Sequence, residues 1–358
     1  MEGKVFADSP RRAREAFARV IGARPEDVAI VPSVSYGVAV AAANVEVRAG
    51  QNLVLLAEQF PSNVYAWTQL AARVGATTRH VPRPQDGDWT PRVLAAIDRD
   101  TALAAVPNCH FSNGSLVDLP VVGRALREVG ALLVVDATQS VGVLPTDVRE
   151  IRPDYLVCAS YKWLFGPYGV SFLYVAPRHH GGRPIEDNPS GRDFGFGAGW
   201  MKQFLSVEQP YHRDARRFDQ GQADVFNAVP QATAGIEQVL RWGVPEIYAT
   251  VSAMTTSVAE RAGALGLDCV PTRHHGGHLV GIELPLPIAD RIHEDLRREN
   301  VFVEKLDSYL RLSPHLYNSA EDVDRFFAVV ERSLASAPRR DRIGPPAGEA
   351  AHARDRLL

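Results

Sequence analysis

An α/β fold with a mostly parallel sheet, followed by a smaller α+β domain, is what this sequence predicts. Three observations carry that expectation. ALAAVPN (102–108) and ALLVVDA (131–137) are continuous apolar runs, the composition of strands covered on both faces. Strand-like runs alternate with helical patterns through the first half, which implies right-handed crossovers between parallel neighbours. Beyond Pro177 a Gly- and Pro-rich stretch leads into a long helical pattern and then shorter, mixed elements. The 358 residues suit two domains on a prior of roughly 150 residues each. They are assigned to 14–230 and 231–334, and 335–358 are assigned to a tail.

The elements follow in order. Residues 11–21 set Ala13, Phe17, Val20 and Ile21 on one side of a helix. Residues 28–33 (VAIVPS) read as a strand, 35–45 as a helix and 52–58 (NLVLLAE) as a buried strand. A helix to Val74 and a short TTRHVP strand come next. A helix at 119–129 separates the two apolar runs, and YLVCAS (155–160) and GVSFLYVA (169–176) add two strands. The 179–199 stretch is a long loop, of the kind that is usually functional. A helical pattern over 231–262, interrupted at Gly243-Val244-Pro245, joins the two domains. Strands at 279–285 and within 301–313, with helices at 289–298 and 321–334, form the second. The Pro-, Gly-, Arg- and Ala-rich tail has the composition of a disordered segment.

Composition narrows the function. A net charge of -3 points to neither nucleic acid nor membrane as partner. No apolar run reaches the ~18 residues of a bilayer-spanning helix, and the first residues hold no apolar signal core. Three scattered cysteines, Cys109, Cys158 and Cys269, give no disulfide framework and fit a reducing cytoplasm. His274, His275 and His278, with glycines between them, read as a solvated turn rather than a metal site, so no metal is expected. Arg11, Arg12 and Arg14 read as the solvated face of the first helix.

Chemistry is expected at the carboxyl ends of the strands. Asp136 and Gln139 follow one strand and Tyr161-Lys162-Trp163 another. Ser33-Val34-Ser35, Phe60-Pro61-Ser62-Asn63 and His110 follow three more. These residue types suit pyridoxal 5′-phosphate (PLP). A desolvated lysine supplies the amine for the aldehyde. A buried carboxylate keeps the pyridine nitrogen protonated. A helix N-terminus with a hydroxyl receives the phosphate, and an aromatic side chain stacks on the ring.

The segment VVDATQS…CASYKWLFGPYGV resembles the class V aminotransferase family of fold-type I PLP enzymes, and FPSNVYAW (60–67), RRFDQGQ (216–222) and RLSPHLYN (311–318) continue the likeness. The family includes cysteine desulfurases, kynureninase and isopenicillin N epimerase. The resemblance implies Lys162 as the Schiff-base lysine and proton shuttle, Asp136 as pyridinium partner and Gln139 as partner of the ring hydroxyl. It implies Val34 and Ser35 as the phosphate cradle, Tyr161 as a phosphate donor, Phe60 as the stacking aromatic and Arg311 as the grip on the substrate carboxylate. His110 stands at a strand end where it either touches the cofactor or bonds locally. Gln222 matches a residue that reaches the phosphate of the neighbouring subunit, so the resemblance implies a homodimer with shared sites. It stands where Thr or Glu is usual, and Glu304-Lys305 stands near where Ser and Arg are expected. The implied activity is on an α-amino acid through an external aldimine, by an aminotransferase or a C–S (β-eliminating) lyase. An epimerase, a desulfurase-like enzyme or a non-catalytic PLP-binding relative is the alternative. A desulfurase needs a mobile C-terminal cysteine, and the one available, Cys269 in GLDCVP, reads as a buried strand.

Overall fold

The structure, a computed structural model, describes residues 2–193, 205 and 209–336, with side chains from Asp8 onward. Residues 194–199 of the expected loop and 337–358 of the expected tail lie outside the described residues. The chain forms two compact units. The first comprises the chain up to Phe111 together with Ser115–Tyr248. The second comprises Ser112–Gly114 and the chain from Ala249 onward.

The first unit is a seven-stranded sheet. Its strands are β1 (Val28–Val31), β2 (Asn52–Leu56), β3 (Thr77–Val81), β4 (Thr101–Pro107), β5 (Leu132–Asp136), β6 (Tyr155–Ala159) and β7 (Ser171–Val175), in the order β1-β7-β6-β5-β4-β2-β3. From β3 to β6 all neighbours are parallel; β7 runs antiparallel to both β6 and β1. The central strands are buried along nearly their whole length, which is why their sequences do not alternate. Edge strand β3 is more polar and partly exposed.

Helices cover both faces. Phe17 and Ile21 of α1 (Glu2–Ile21), Leu126 of α5 (Leu119–Glu128) and Ile236 of α7 (Val229–Trp242) join one apolar cluster. Val38 and Ala41 of α2 (Val34–Asn44) and Trp67 and Leu70 of α3 (Tyr65–Val74) join the other. Two helices completing this unit are α4 (Trp89–Ala96) and α6 (Val148–Ile151). The structure extends α1 through Pro10 to Glu2, beyond the expected start at 11. It also adds α4, which the periodicity did not announce, capped by Asp88 accepting from Thr90 N–H.

One expectation about α1 is corrected. Arg11 and Arg12 are solvated, but Arg14 is buried and bonded to Asp219, itself 2% exposed. Burial pushes the Asp219 carboxyl up to about 6, against the pull of Arg14. Asp219 Oδ1 also accepts the Ile30 N–H at 2.8 Å, and Gln220 N–H donates to the Ile30 carbonyl at 2.9 Å. The 219–220 segment is thereby fastened to β1.

The expected 231–262 pattern is two helices, α7 and α8 (Val244–Ala264), broken at Gly243 with φ +82°. The division between units falls within α8, after Tyr248, and not at 230/231. The reason is packing: Val229, Ala232 and Ile236 are buried in the same cluster as Phe17.

The second unit is a four-stranded antiparallel sheet, β10-β11-β9-β8, built from β8 (Asp268–Cys269), β9 (Val280–Glu283), β10 (Glu304–Leu306) and β11 (Tyr309–Leu312). Helices α9 (Leu286–Arg298) and α10 (Ala320–Ala335) bury Ile292, Leu296, Phe326 and Phe327 with it. A capping box of Ser319 and Asp322 opens α10. The tripeptide 112–114 joins this unit through Gly281 N–H, which donates to the Asn113 carbonyl at 3.3 Å. Gly114 has φ +81°, and a Cβ there would lie 2.0 Å from the Leu279 carbonyl oxygen, so only glycine fits. His275 and His278 are buried, not solvated, and their Nδ1 atoms lie 2.9 Å from the Gly277 N–H and the Gly276 carbonyl oxygen respectively.

Candidate active site

The carboxyl edge of the parallel strands opens into a cavity of about 190 Å³, lined wholly by the first unit. Val34, Ser35, Phe60, Asp136, Gln139, Tyr161 and Lys162 all line it. Seven of the ten residues singled out in the sequence therefore meet in one place.

Sheet register brings two of them together. Asp136 ends β5, paired with Pro107 of β4 and Val157 of β6, and Lys162 follows β6 by one tight turn. That turn is held by buried Ser160, whose hydroxyl donates to the Val170 carbonyl at 2.7 Å while its own carbonyl accepts from Gly166 N–H at 2.8 Å. A Cβ at Gly166 would stand 2.4 Å from Ser160 Oγ. Phe165 takes φ +54° to complete the turn, local strain of the kind stored at functional sites. Trp163 and Leu164 are buried, whereas Phe165 is 42% exposed. Lys162 Nζ lies 5.8 Å from the centre of the Phe60 ring.

Asp136 is 8% exposed, and its Oδ1 accepts the Thr138 N–H at 3.0 Å. Burial drives its carboxyl pKa upward; the Thr138 hydrogen bonds and, last, the Lys162 charge pull the other way. Its desolvation is thus incompletely offset by the protein. Cys158 lies in the same field, its thiol pushed well up by burial first and then by Asp136.

At the β1 end, Ser33 caps α2 by accepting the Tyr36 N–H at 3.2 Å, and the Ser33 and Ser35 hydroxyls are 2.9 Å apart. The first N–H groups of a helix have no carbonyl within the helix to bond, so this end offers donors and a positive dipole. Gln139 accepts from Trp163 Nε1 at 3.1 Å, which makes NH₂ the donor end of its amide. Tyr161 stacks on Tyr168 with ring centres 4.1 Å apart. Phe60 meets Phe111 edge-on at 5.6 Å.

Three expected residues are not among those lining the cavity. His110 is fully buried, stacked on Trp89 and Phe111 at 5.4 and 5.3 Å, and burial pushes its pKa down to about 3. Cys109 and Phe111 line the cavity in its stead. Cys109 pairs with Leu116 in a short bridge, and side chains alternate along extended backbone. Gln222 is exposed and takes φ +60°. Arg311 belongs to the second unit, on β11, paired with Gly281 and Glu304.

Sequence reasoning missed Tyr168, Thr138 and Gln59 among the lining residues. Gln59 Nε2 donates to the Ala105 carbonyl at 3.2 Å, which ties the Phe60 loop to β4. Its signal was the left-handed Glu58 beside it, φ +57°, which sequence does not reveal.

Cys269 is partly buried, at the edge of the second unit's sheet, rather than in a buried strand. Burial pushes its thiol to about 12. Among the described residues no helix is long and apolar enough to cross a membrane.

The chain is similar to known proteins over most of its length. An uncharacterized aminotransferase, YcbU of Bacillus subtilis, is 29% identical over 315 residues, 87% of this chain and 80% of that protein. A probable cysteine desulfurase of Methanothermobacter thermautotrophicus is 25% identical over 340 residues, again 87% and 80%. The solved complex of the cystine C–S lyase C-DES with cysteine persulfide superposes with a TM-score of 0.81 at 20% identity, covering 94% of this chain and 88% of that one, a likeness of fold. The sequence model of the family described as Aminotransferase class-V matches residues 2–262, and the chain therefore belongs to the class-V aminotransferases, PLP-dependent enzymes.

Proposed function

We propose that this enzyme acts on an α-amino acid as an aminotransferase or as a C–S lyase, using the cavity at the carboxyl edge of the first unit. The observation that carries the proposal is that a buried carboxylate and a lysine line the same cavity, with a helix N-terminus in its wall. Asp136 fits PLP in particular. A buried carboxyl whose desolvation is left incompletely offset is stabilised as an anion by a protonated heteroaromatic nitrogen. PLP, when bound, supplies an aldehyde that condenses with amines and a ring that takes up the electron pair released at the amino acid's α-carbon.

The chain's own groups do the rest. Lys162 Nζ would hold PLP through its aldehyde, and its amine is the group that would take and return the substrate's α-proton as a general base. Asp136 keeps the pyridine nitrogen protonated. The α2 N-terminus, with the Val34 and Ser35 N–H groups and the Ser33 and Ser35 hydroxyls, receives the phosphate. Tyr161 would add a donor there, and the NH₂ of Gln139 would donate to the ring hydroxyl. Phe60 supplies an aromatic face. Arg311 grips the substrate's α-carboxylate with a planar fork. Gln222, exposed on the first unit, serves a second copy of the chain in a homodimer, and the scattered cysteines suit a cytoplasmic setting.

The relatives include desulfurases, but Cys269 is unsuited to carry sulfur. A nucleophilic cysteine needs a lowered pKa, and burial does the opposite here. This favours transamination or elimination, in which no protein thiol takes part. The test is a screen of amino acids with the PLP-loaded enzyme, reading keto acid, pyruvate and sulfide. Keto acid without net pyruvate marks an aminotransferase; pyruvate with sulfide marks a lyase. Turnover of no amino acid, with PLP reducibly attached to Lys162, would reject the proposal.

A further inference from the structure

Gln222 is exposed and left-handed, as are five other described non-glycine residues. Its φ of +60° is one that non-glycine residues adopt at a cost, and the surrounding structure must over-determine it. The determinant is close by. Glu186 Oε2 accepts the Gly221 N–H at 3.1 Å and the Tyr36 hydroxyl at 3.0 Å. Tyr36 lies on α2, two residues beyond Val34, so Glu186 spans the phosphate-end helix and the residue just before Gln222. The fit is tight: a Cβ at Gly221 would stand 2.4 Å from Glu186 Oε1.

The preceding residues are held as firmly. Asn188 Nδ2 donates to the Asp219 carbonyl at 2.9 Å, and the Asp219 side chain is buried against Arg14. Residues 219 and 220 are thus fastened to Ile30 of β1, and residue 221 to Glu186. The segment then delivers one exposed, strained glutamine.

We propose that Glu186 is a positioning residue: by holding Gly221 and Tyr36 together it aims the Gln222 side chain outward, at the phosphate end of a second copy's cavity. This rests on the homodimer reading of Gln222 given above. Glu186 acts by accepting hydrogen bonds, so glutamine substitutes for it in part and alanine does not.

The experiment measures the PLP dissociation constant of the dimeric enzyme for wild type, Glu186→Ala, Glu186→Gln, Gln222→Ala and the Glu186→Ala/Gln222→Ala double variant, with dimer mass checked by sedimentation. Gln222→Ala should raise the constant about tenfold, the effect of one hydrogen bond to a charged group. Glu186→Ala should raise it by a similar factor, the double variant no further, and Glu186→Gln less. Gly221→Ala, which crowds Glu186 without removing it, should reproduce the Glu186→Ala loss in a chain that keeps every side chain of the site. Effects that multiply in the double variant, or a Glu186→Ala enzyme that binds PLP normally while Gln222→Ala does not, overturn the positioning role. An unchanged constant in Gln222→Ala, or a monomeric wild type, overturns the homodimer reading itself.

Discussion

Replacing Asp136 by asparagine should stabilise the cofactor-free protein and cripple the loaded one. The change keeps the side chain's shape and an oxygen for the Thr138 N–H, and removes only the charge. In the free protein that charge is a burden, because burial raises the carboxyl pKa and neither Thr138 nor Lys162 fully compensates. The sign follows from linkage. A folded-state pKa above the unfolded value means that the group favours folding at low pH and that this contribution is lost as pH rises through the folded value. The asparagine has no such loss, so its advantage grows with pH. A buried polar group left incompletely satisfied costs about 1–3 kcal/mol. For a unit of this size that corresponds to roughly 2–4 °C in Tm per kcal/mol. The assay is thermal unfolding of the PLP-free proteins at pH 5 and pH 8. Addition of PLP and an amino acid in D₂O then reports α-hydrogen exchange, which should fall steeply in Asp136→Asn. A variant less stable than wild type at pH 8 would refute the argument from burial. Undiminished exchange would show that another group protonates the ring.

Lys162→Ala should lose the yellow, borohydride-reducible attachment of PLP, read by absorbance before and after reduction. Arg311→Ala should weaken binding of α-carboxylate ligands by about 1.5–3 kcal/mol, measured by titration of the loaded enzyme, with PLP affinity unchanged. Arg14→Ala should destabilise the first unit by about 3–5 kcal/mol in denaturant unfolding, because it strands a buried carboxylate. That deficit should grow as pH rises from about 6, where Asp219 loses its proton in the wild type while the variant, without the Arg14 charge, still holds it. At PLP concentrations that limit the Gln222→Ala enzyme, mixing Lys162→Ala with Gln222→Ala subunits should give more activity than either alone, since one of the two sites in each mixed dimer is then complete; no gain would argue against shared sites.

Much of the site was legible because strand ends are legible. Asp136 and Lys162 each follow a buried apolar run, and the parallel register that aligns β4, β5 and β6 puts such positions at one edge. What sequence could not show was direction at single-residue resolution. His110 was placed by its position after a strand, yet beyond the end of β4 Cys109 bridges to Leu116, and His110 enters the Trp89 stack while Cys109 and Phe111 line the cavity. Long-range pairing was equally invisible. Arg14 looked like its solvated neighbours because its partner lies 205 residues away. Helix α4 escaped notice because eight residues with two buried side chains, Trp89 and Val93, give too little periodicity. The interruption at 243–245 was correctly located by Gly243, but the unit boundary was not, since the buried face of α7 is decided by α1.

The residues assigned to the cofactor and the arginine assigned to the substrate belong to different units, which bears on how specificity is set. The groups assigned to the cofactor all lie in the first unit, where a buried carboxylate and two left-handed residues, Glu58 and Phe165, flank the cavity and depend on a large core to hold them. The arginine assigned to the substrate lies on a different sheet with its own core. Cofactor binding and substrate choice can then vary separately. Changes in the second unit should move KM for amino acids and leave the PLP constant alone, while changes at Asp136 or Lys162 should abolish every reaction at once. A constellation that activates the α-carbon does not by itself choose between returning the proton at another atom and expelling a leaving group. That choice falls to the side chains around the substrate, among which Cys109, Phe111 and Tyr168 line the cavity without any task in holding PLP, and which are therefore where aminotransferase and lyase should be told apart.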